Sequence, residues 1–168
     1  MRSAAAVLTA LALVVATGCG DDNGSDGGSG GGVYGGGSAT SEEPSGATGS
    51  GVVSVDDNSK LGQILVDGDG NTLYLFEKDK GGKSACYGAC ASVWPPYTGG
   101  KPKAEGGAQS GQLGTAERSD GGTQVTYAGF PLYLYVGDKA PGDVNGNDFE
   151  QFGAEWYALT PSGEKPED

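Results

Sequence analysis

Leu73-Tyr74-Leu75-Phe76-Glu77-Lys78-Asp79-Lys80 is written twice in this chain, 59 positions apart, the second time as Leu132-Tyr133-Leu134-Tyr135-Val136-Gly137-Asp138-Lys139. The correspondence runs back through Gly70/Gly129 to Val66/Val125. Seven of the fifteen positions from Val66 to Lys80 are identical, and Phe76/Tyr135 is an aromatic exchange. A constant offset over such a run marks an internal duplication. On a strand, Leu73 and Leu75 point to one side and Tyr74 and Phe76 to the other. Both faces are apolar or aromatic, as expected of a central strand covered on two sides.

The surrounding residues carry the same β signature. Val52–Val55 is short and β-branched. Gln63–Val66 leads into the turn Asp67-Gly68-Asp69-Gly70-Asn71, and Thr72–Glu77 completes a hairpin. The second unit repeats the plan: Gln124–Tyr127 turns through Ala128-Gly129 into Phe130-Pro131 and then Leu132–Val136. Leu113–Arg118 and Glu155–Leu159 are further strands, and a Gly/Lys/Pro/Gln loop from Gly99 to Gly111 joins the halves. Helical periodicity is confined to a turn or two through Ala85–Val93. The expected fold is a single small all-β domain over 52–160, built from two tandem pseudo-symmetric hairpin or sheet repeats, about 61–97 and 113–160. Pro161–Asp168 is polar and is expected to fray.

The N-terminus differs in kind. Met1-Arg2-Ser3 precedes thirteen residues, Ala4–Ala16, in which only Thr9 is polar. As a helix this run covers roughly 20 Å, short of a ~30 Å hydrocarbon core, so it reads as a cleaved secretory signal over 1–18. Ala16-Thr17-Gly18-Cys19 resembles a bacterial lipobox, in which the cysteine is lipidated and becomes the mature N-terminus. Residues 19–51 are rich in Gly, Ser and Asp and have too little apolar surface to fold, so they read as a flexible tether. Of three cysteines, Cys19 is then assigned to lipid, and Cys86 and Cys90 remain as a pair for an oxidising compartment. With a net charge of −12, the chain repels phosphate backbones and anionic headgroups. Nucleic acid is therefore an unsuitable partner, and membrane attachment falls to the acyl anchor.

Two readings of the repeated motif stand side by side. Asp79 and Asp138 either close turns, accepting bonds from backbone N–H groups or a tyrosine hydroxyl, or line a cleft with the aromatics. The paired Tyr-x-aromatic-x-x-Asp motifs lie on Tyr74, Phe76, Asp79 and on Tyr133, Tyr135, Asp138. Cys86 and Cys90 run into Trp94-Pro95-Pro96, and Trp156-Tyr157 closes the folded part. This pattern, from Leu61 to Gly163, resembles a bacterial family of predicted lipoproteins, the secreted repeat family with a Tyr-x-(Phe/Trp/Tyr)-x-x-Asp motif. The resemblance implies architecture and location, and no activity.

The chain lacks histidine, and its one methionine is the initiator. Blue-copper, zinc-hydrolase and Ser-His-Asp sites are thereby excluded. Asp67-x-Asp69-x-Asn71 and Asp143-x-Asn145-x-Asn147 begin like calcium loops but lack the required Gly and bidentate Glu, and read as Asx turns. No metal or other cofactor is expected. The favoured function is a non-enzymatic binding or structural module, lipid-anchored outside the cytoplasm, whose partner is an envelope protein or glycan. One alternative is a redox role, with Cys86/Cys90 cycling and Tyr and Trp side chains relaying electrons. Another is glycan hydrolysis by Asp79 and Asp138 facing one another across a cleft.

Overall fold

The computed structural model describes residues 49–167. The signal segment, Cys19 and residues 20–48 of the tether lie outside the described residues. Among the described residues, nine strands form three small three-stranded sheets. The first has order β2-β1-β4, from β1 (Val52–Asn58), β2 (Gly62–Asp67) and β4 (Lys103–Ala104). The second has order β3-β9-β8, from β3 (Tyr74–Phe76), β8 (Phe149–Gln151) and β9 (Ala154–Ala158). The third has order β5-β6-β7, from β5 (Leu113–Glu117), β6 (Thr123–Tyr127) and β7 (Phe130–Pro131). One short helix, α1 (Ala89–Val93), and a 3₁₀ turn, Ser110–Gln112, are the helical elements among the described residues.

The all-β expectation holds, and alternation along the strands explains the packing. Ile64, Val66, Tyr74, Phe76, Trp156 and Ala158 enter one buried cluster, with Cys86, Cys90, Trp94 and Tyr133. Their immediate neighbours Leu65, Leu73, Leu75 and Leu159 enter a second, with Tyr97, Val125, Tyr127 and Leu132. The repeated stretch thus separates two cores, an aromatic one and an aliphatic one, and serves both.

The two copies are interleaved. β3 of the first pairs antiparallel with β9 of the second, Leu75 opposite Tyr157. Tyr97 donates its N–H to Leu132 O at 2.8 Å, and Val125 donates to Tyr97 O at 2.8 Å. The linking loop supplies β4, which runs parallel to β1.

Three expectations need correction. Leu132–Val136 forms no strand: Val136 already lies in a turn, and Tyr133 makes isolated bridges, to Tyr74 and Pro96. Its flanking partner includes Pro95 and Pro96, which accept hydrogen bonds and cannot donate them, so no continuous ladder forms. Pro161 onward does not fray over its described part. Pro161 O accepts from the Tyr127 hydroxyl at 2.9 Å and from the Gln109 side chain at 2.9 Å. Lys165 pairs with Glu77 at 2.6 Å and lies over the Tyr157 ring. Finally, β8 forms where no strand was expected, in a hairpin whose two turn residues, Phe152 and Gly153, both have positive φ, 59° and 84°.

Candidate functional site

The residues of the repeated motif converge where the two copies touch. Tyr74 and Tyr133 face each other in an antiparallel bridge: Tyr74 N–H donates to Tyr133 O at 2.9 Å, and Tyr133 N–H to Tyr74 O at 3.0 Å. From that point each side chain reaches the other repeat. The Tyr74 hydroxyl donates to Asp138 Oδ2 at 2.7 Å, and the Tyr133 hydroxyl donates to Asp79 Oδ2 at 2.7 Å. Neither motif completes itself; each tyrosine is satisfied by the aspartate of the other copy.

The remaining carboxylate oxygens are also engaged. Asp79 Oδ1 accepts the Ala85 N–H at 2.7 Å, and Asp138 Oδ1 accepts the Asn145 N–H at 2.9 Å. Both aspartates therefore close turns as well as receiving a phenol. Burial pushes the carboxyl pKa of Asp79 and of Asp138 upward, and the tyrosine hydrogen bond partly offsets it. Burial raises both tyrosines far above the phenol range, reinforced by the facing carboxylate, so each remains a donor.

Between the tyrosines stands a column of four rings. Phe76 stacks on Trp156 at 3.9 Å between centroids, Trp156 on Trp94 at 3.9 Å, and Trp94 on Tyr135 at 4.2 Å. Its two ends, Phe76 and Tyr135, are equivalent positions of the duplicated motif. The tyrosines approach edge-on, Tyr74 to Trp94 at 5.5 Å and Tyr133 to Trp156 at 5.1 Å. This alternation of face and edge contacts matches the ring quadrupoles. Gln151 serves both indoles: its Oε1 accepts from Trp94 at 2.7 Å and its backbone O from Trp156 at 3.1 Å. Tyr74, Phe76, Trp94, Tyr133 and Trp156 are buried, and Tyr135 is half-buried. Beyond Tyr135, at 5.9 Å, lies Phe149, 38% exposed.

Cys86 and Cys90 form a disulfide with Cα atoms 5.2 Å apart, and both are buried. A thiolate must reach a sulfur to open such a bond, and packing in the aromatic core denies it that approach. Disulfide cycling therefore gains no support. The hydrolase alternative fares likewise, because each carboxylate is held by a buried tyrosine hydroxyl and a backbone N–H. Surface grooves lie elsewhere, one between Lys103–Glu105 and Leu113–Thr115. The first calcium-like loop is an Asx turn, with Asp67 Oδ1 accepting the N–H groups of Asp69 and Asn71; in the second, Asp143 Oδ2 instead accepts the N–H groups of the preceding Lys139 and Ala140. Among the described residues no three His, Cys, Asp or Glu side chains converge to hold a metal.

A second polar cluster was missed in the sequence. Arg118 is buried and donates to Asp120, to Gln124 Oε1 at 2.7 Å, to Ser84 Oγ at 3.0 Å and to Cys86 O at 2.9 Å. The Ser84 hydroxyl in turn donates to the Tyr133 phenol oxygen at 2.8 Å, the phenol's own proton going to Asp79. One guanidinium of the second repeat thus fixes the loop that leads into the disulfide of the first. Asp120 is held below the ordinary carboxylate range by Arg118.

A family described as a secreted repeat of unknown function matches the chain twice, over residues 56–98 and 114–160. Each match contains one Tyr/Asp pair, and each contains one of the two tryptophans, four residues before its end. No curated protein and no solved structure matches the chain.

Proposed function

The chain belongs to a family of secreted repeats of unknown function, and we propose that it is a rigid, non-catalytic module displayed outside the cytoplasm on a lipidated Cys19. Its partner would be a neighbouring envelope protein or glycan. The observation that carries the non-catalytic reading is the exchange of partners between the repeats. The groups that looked most like chemistry, two tyrosines and two aspartates, satisfy one another across the interface. No buried side-chain nitrogen or oxygen among the described residues is left without a partner to act on a substrate.

Two observations support the anchor. Ala16-Thr17-Gly18-Cys19 follows an apolar leader, and Cys86 and Cys90 are bonded to each other, which leaves Cys19 as the single remaining cysteine. The folded part offers no substitute, because no helix among the described residues is long and apolar enough to cross a membrane. The test is detergent partitioning of the secreted protein. The natural chain is expected in the detergent phase with an intact mass increased by acyl chains, and Cys19→Ala in the aqueous phase. A Cys19→Ala protein that still partitions into detergent would contradict the anchor.

A further inference from the structure

We propose that the four-ring column is a one-electron relay, in which an oxidising equivalent entering at Tyr135 passes through Trp94 and Trp156 and comes to rest on Tyr74 or Tyr133. The inference rests on the ring geometry and stands whether or not Cys19 is lipidated. The column is in continuous face contact, with interplanar angles of 9°, 5° and 22° along it. Rings in van der Waals contact exchange an electron far faster than two proteins part. One end is accessible: Tyr135 is half-buried, and Phe149 and Val136 beside it are exposed. The interior is shielded, with both indoles fully buried.

Proton placement gives the relay its direction. A phenol yields an electron readily only if its proton can leave at the same time. Each tyrosine points its O–H at a carboxylate oxygen 2.7 Å away. The indoles have no such base, because both N–H groups donate to Gln151, an amide oxygen and a backbone carbonyl. An oxidised indole therefore keeps its proton and remains the stronger oxidant, while the tyrosines at its edge can release theirs.

The balanced step begins with a one-electron oxidant at the surface, a small organic radical or the high-potential metal centre of a partner. It removes one electron by way of Tyr135, is itself reduced by one, and leaves Trp94 as a radical cation. Tyr74 refills Trp94 with one electron as its O–H bond breaks, and the proton moves to Asp138 Oδ2. The products are neutral Trp94, a Tyr74 phenoxyl radical and a protonated Asp138. The equivalent step joins Tyr133 to Trp156, with the proton on Asp79. A small one-electron reductant such as an enediol restores the phenol, and the aspartate returns the proton.

The test is pulse radiolysis of the purified protein, with the azide radical as oxidant and the tryptophanyl and tyrosyl absorptions followed in time. The expected result is a first-order conversion of the tryptophanyl into the tyrosyl signal, independent of protein concentration. Asp79→Asn with Asp138→Asn keeps a hydrogen-bond acceptor and removes the base, and is expected to slow that conversion by about tenfold or more. Tyr74→Phe with Tyr133→Phe is expected to abolish it. An unchanged rate in the first pair of substitutions, or a persisting conversion in the second, overturns the proposal. Freeze-quenched magnetic resonance of the natural protein needs no variant to fold. A buried, hydrogen-bonded phenoxyl supports the relay, and a radical confined to indole or to an exposed tyrosine overturns it.

Discussion

A phenol buried among rings must find an acceptor or forfeit about 1–3 kcal/mol. Tyr74 and Tyr133 find theirs in carboxylates that are themselves costly to bury. Replacing Tyr133 by Phe leaves Asp79 Oδ2 without its donor at a site only 5% exposed. The expected loss is about 1–3 kcal/mol in denaturant unfolding, and the smaller burial of Asp138 places Tyr74→Phe lower in that range. The same carboxylates give a pH signature. Their folded pKa lies above the ordinary value of 3.8, so between the two values the folded state binds more protons than the unfolded state. That contribution to stability is fully present below 3.8 and is lost as pH rises through the folded pKa. Unfolding free energy measured from neutral pH downward should therefore include a rising part that is absent from Asp79→Asn/Asp138→Asn. Gly146 is the close-approach glycine of the cluster. A methyl there would lie 2.7 Å from Trp94 Cη2 and 3.0 Å from Tyr74 Cε1, and Gly146→Ala is expected to lower stability by about 1–3 kcal/mol.

Elements were legible to the extent that their signal was local. The period-two pattern of Leu73–Phe76 forecast a strand buried on both faces, and the two cores confirm it. The Asp67–Asn71 turn was legible because Asx residues bond their own backbone. By contrast, β4 and β8 are short strands created by the neighbours they meet, and Leu132–Val136 fails to make a ladder because prolines lie beside it. Arg118 carries a signal of its own: it is the one arginine beyond Arg2 in a chain whose other cations are lysines. A planar fork can serve Asp120, Gln124, Ser84 and Cys86 together, and an ammonium cannot. Arg118→Lys should accordingly recover little of the loss caused by Arg118→Ala. Thermal melts of the two variants are expected to lie close together and well below the parent. A lysine variant melting with the parent would show that charge alone matters there.

Across the whole molecule, the duplication has not produced two independent units. The aromatic column draws Phe76 and Trp94 from one repeat and Trp156 and Tyr135 from the other. Either repeat alone would expose that column and leave both its tyrosine and its aspartate unpaired. The sequence shows that a motif is repeated, but a constant offset cannot show whether two copies act in parallel or complete each other. That distinction lies between side chains 54 and 64 positions apart, beyond any local pattern. It also decides the central claim, that the motif is a reciprocal lock between repeats. The direct measurement is a pair of double-mutant cycles in denaturant unfolding. Tyr133→Phe with Asp79→Ala should show a coupling energy of about 1–3 kcal/mol, while Tyr74→Phe with Asp79→Ala, within one repeat, should be nearly additive. Coupling within the repeat and additivity between repeats would contradict the account.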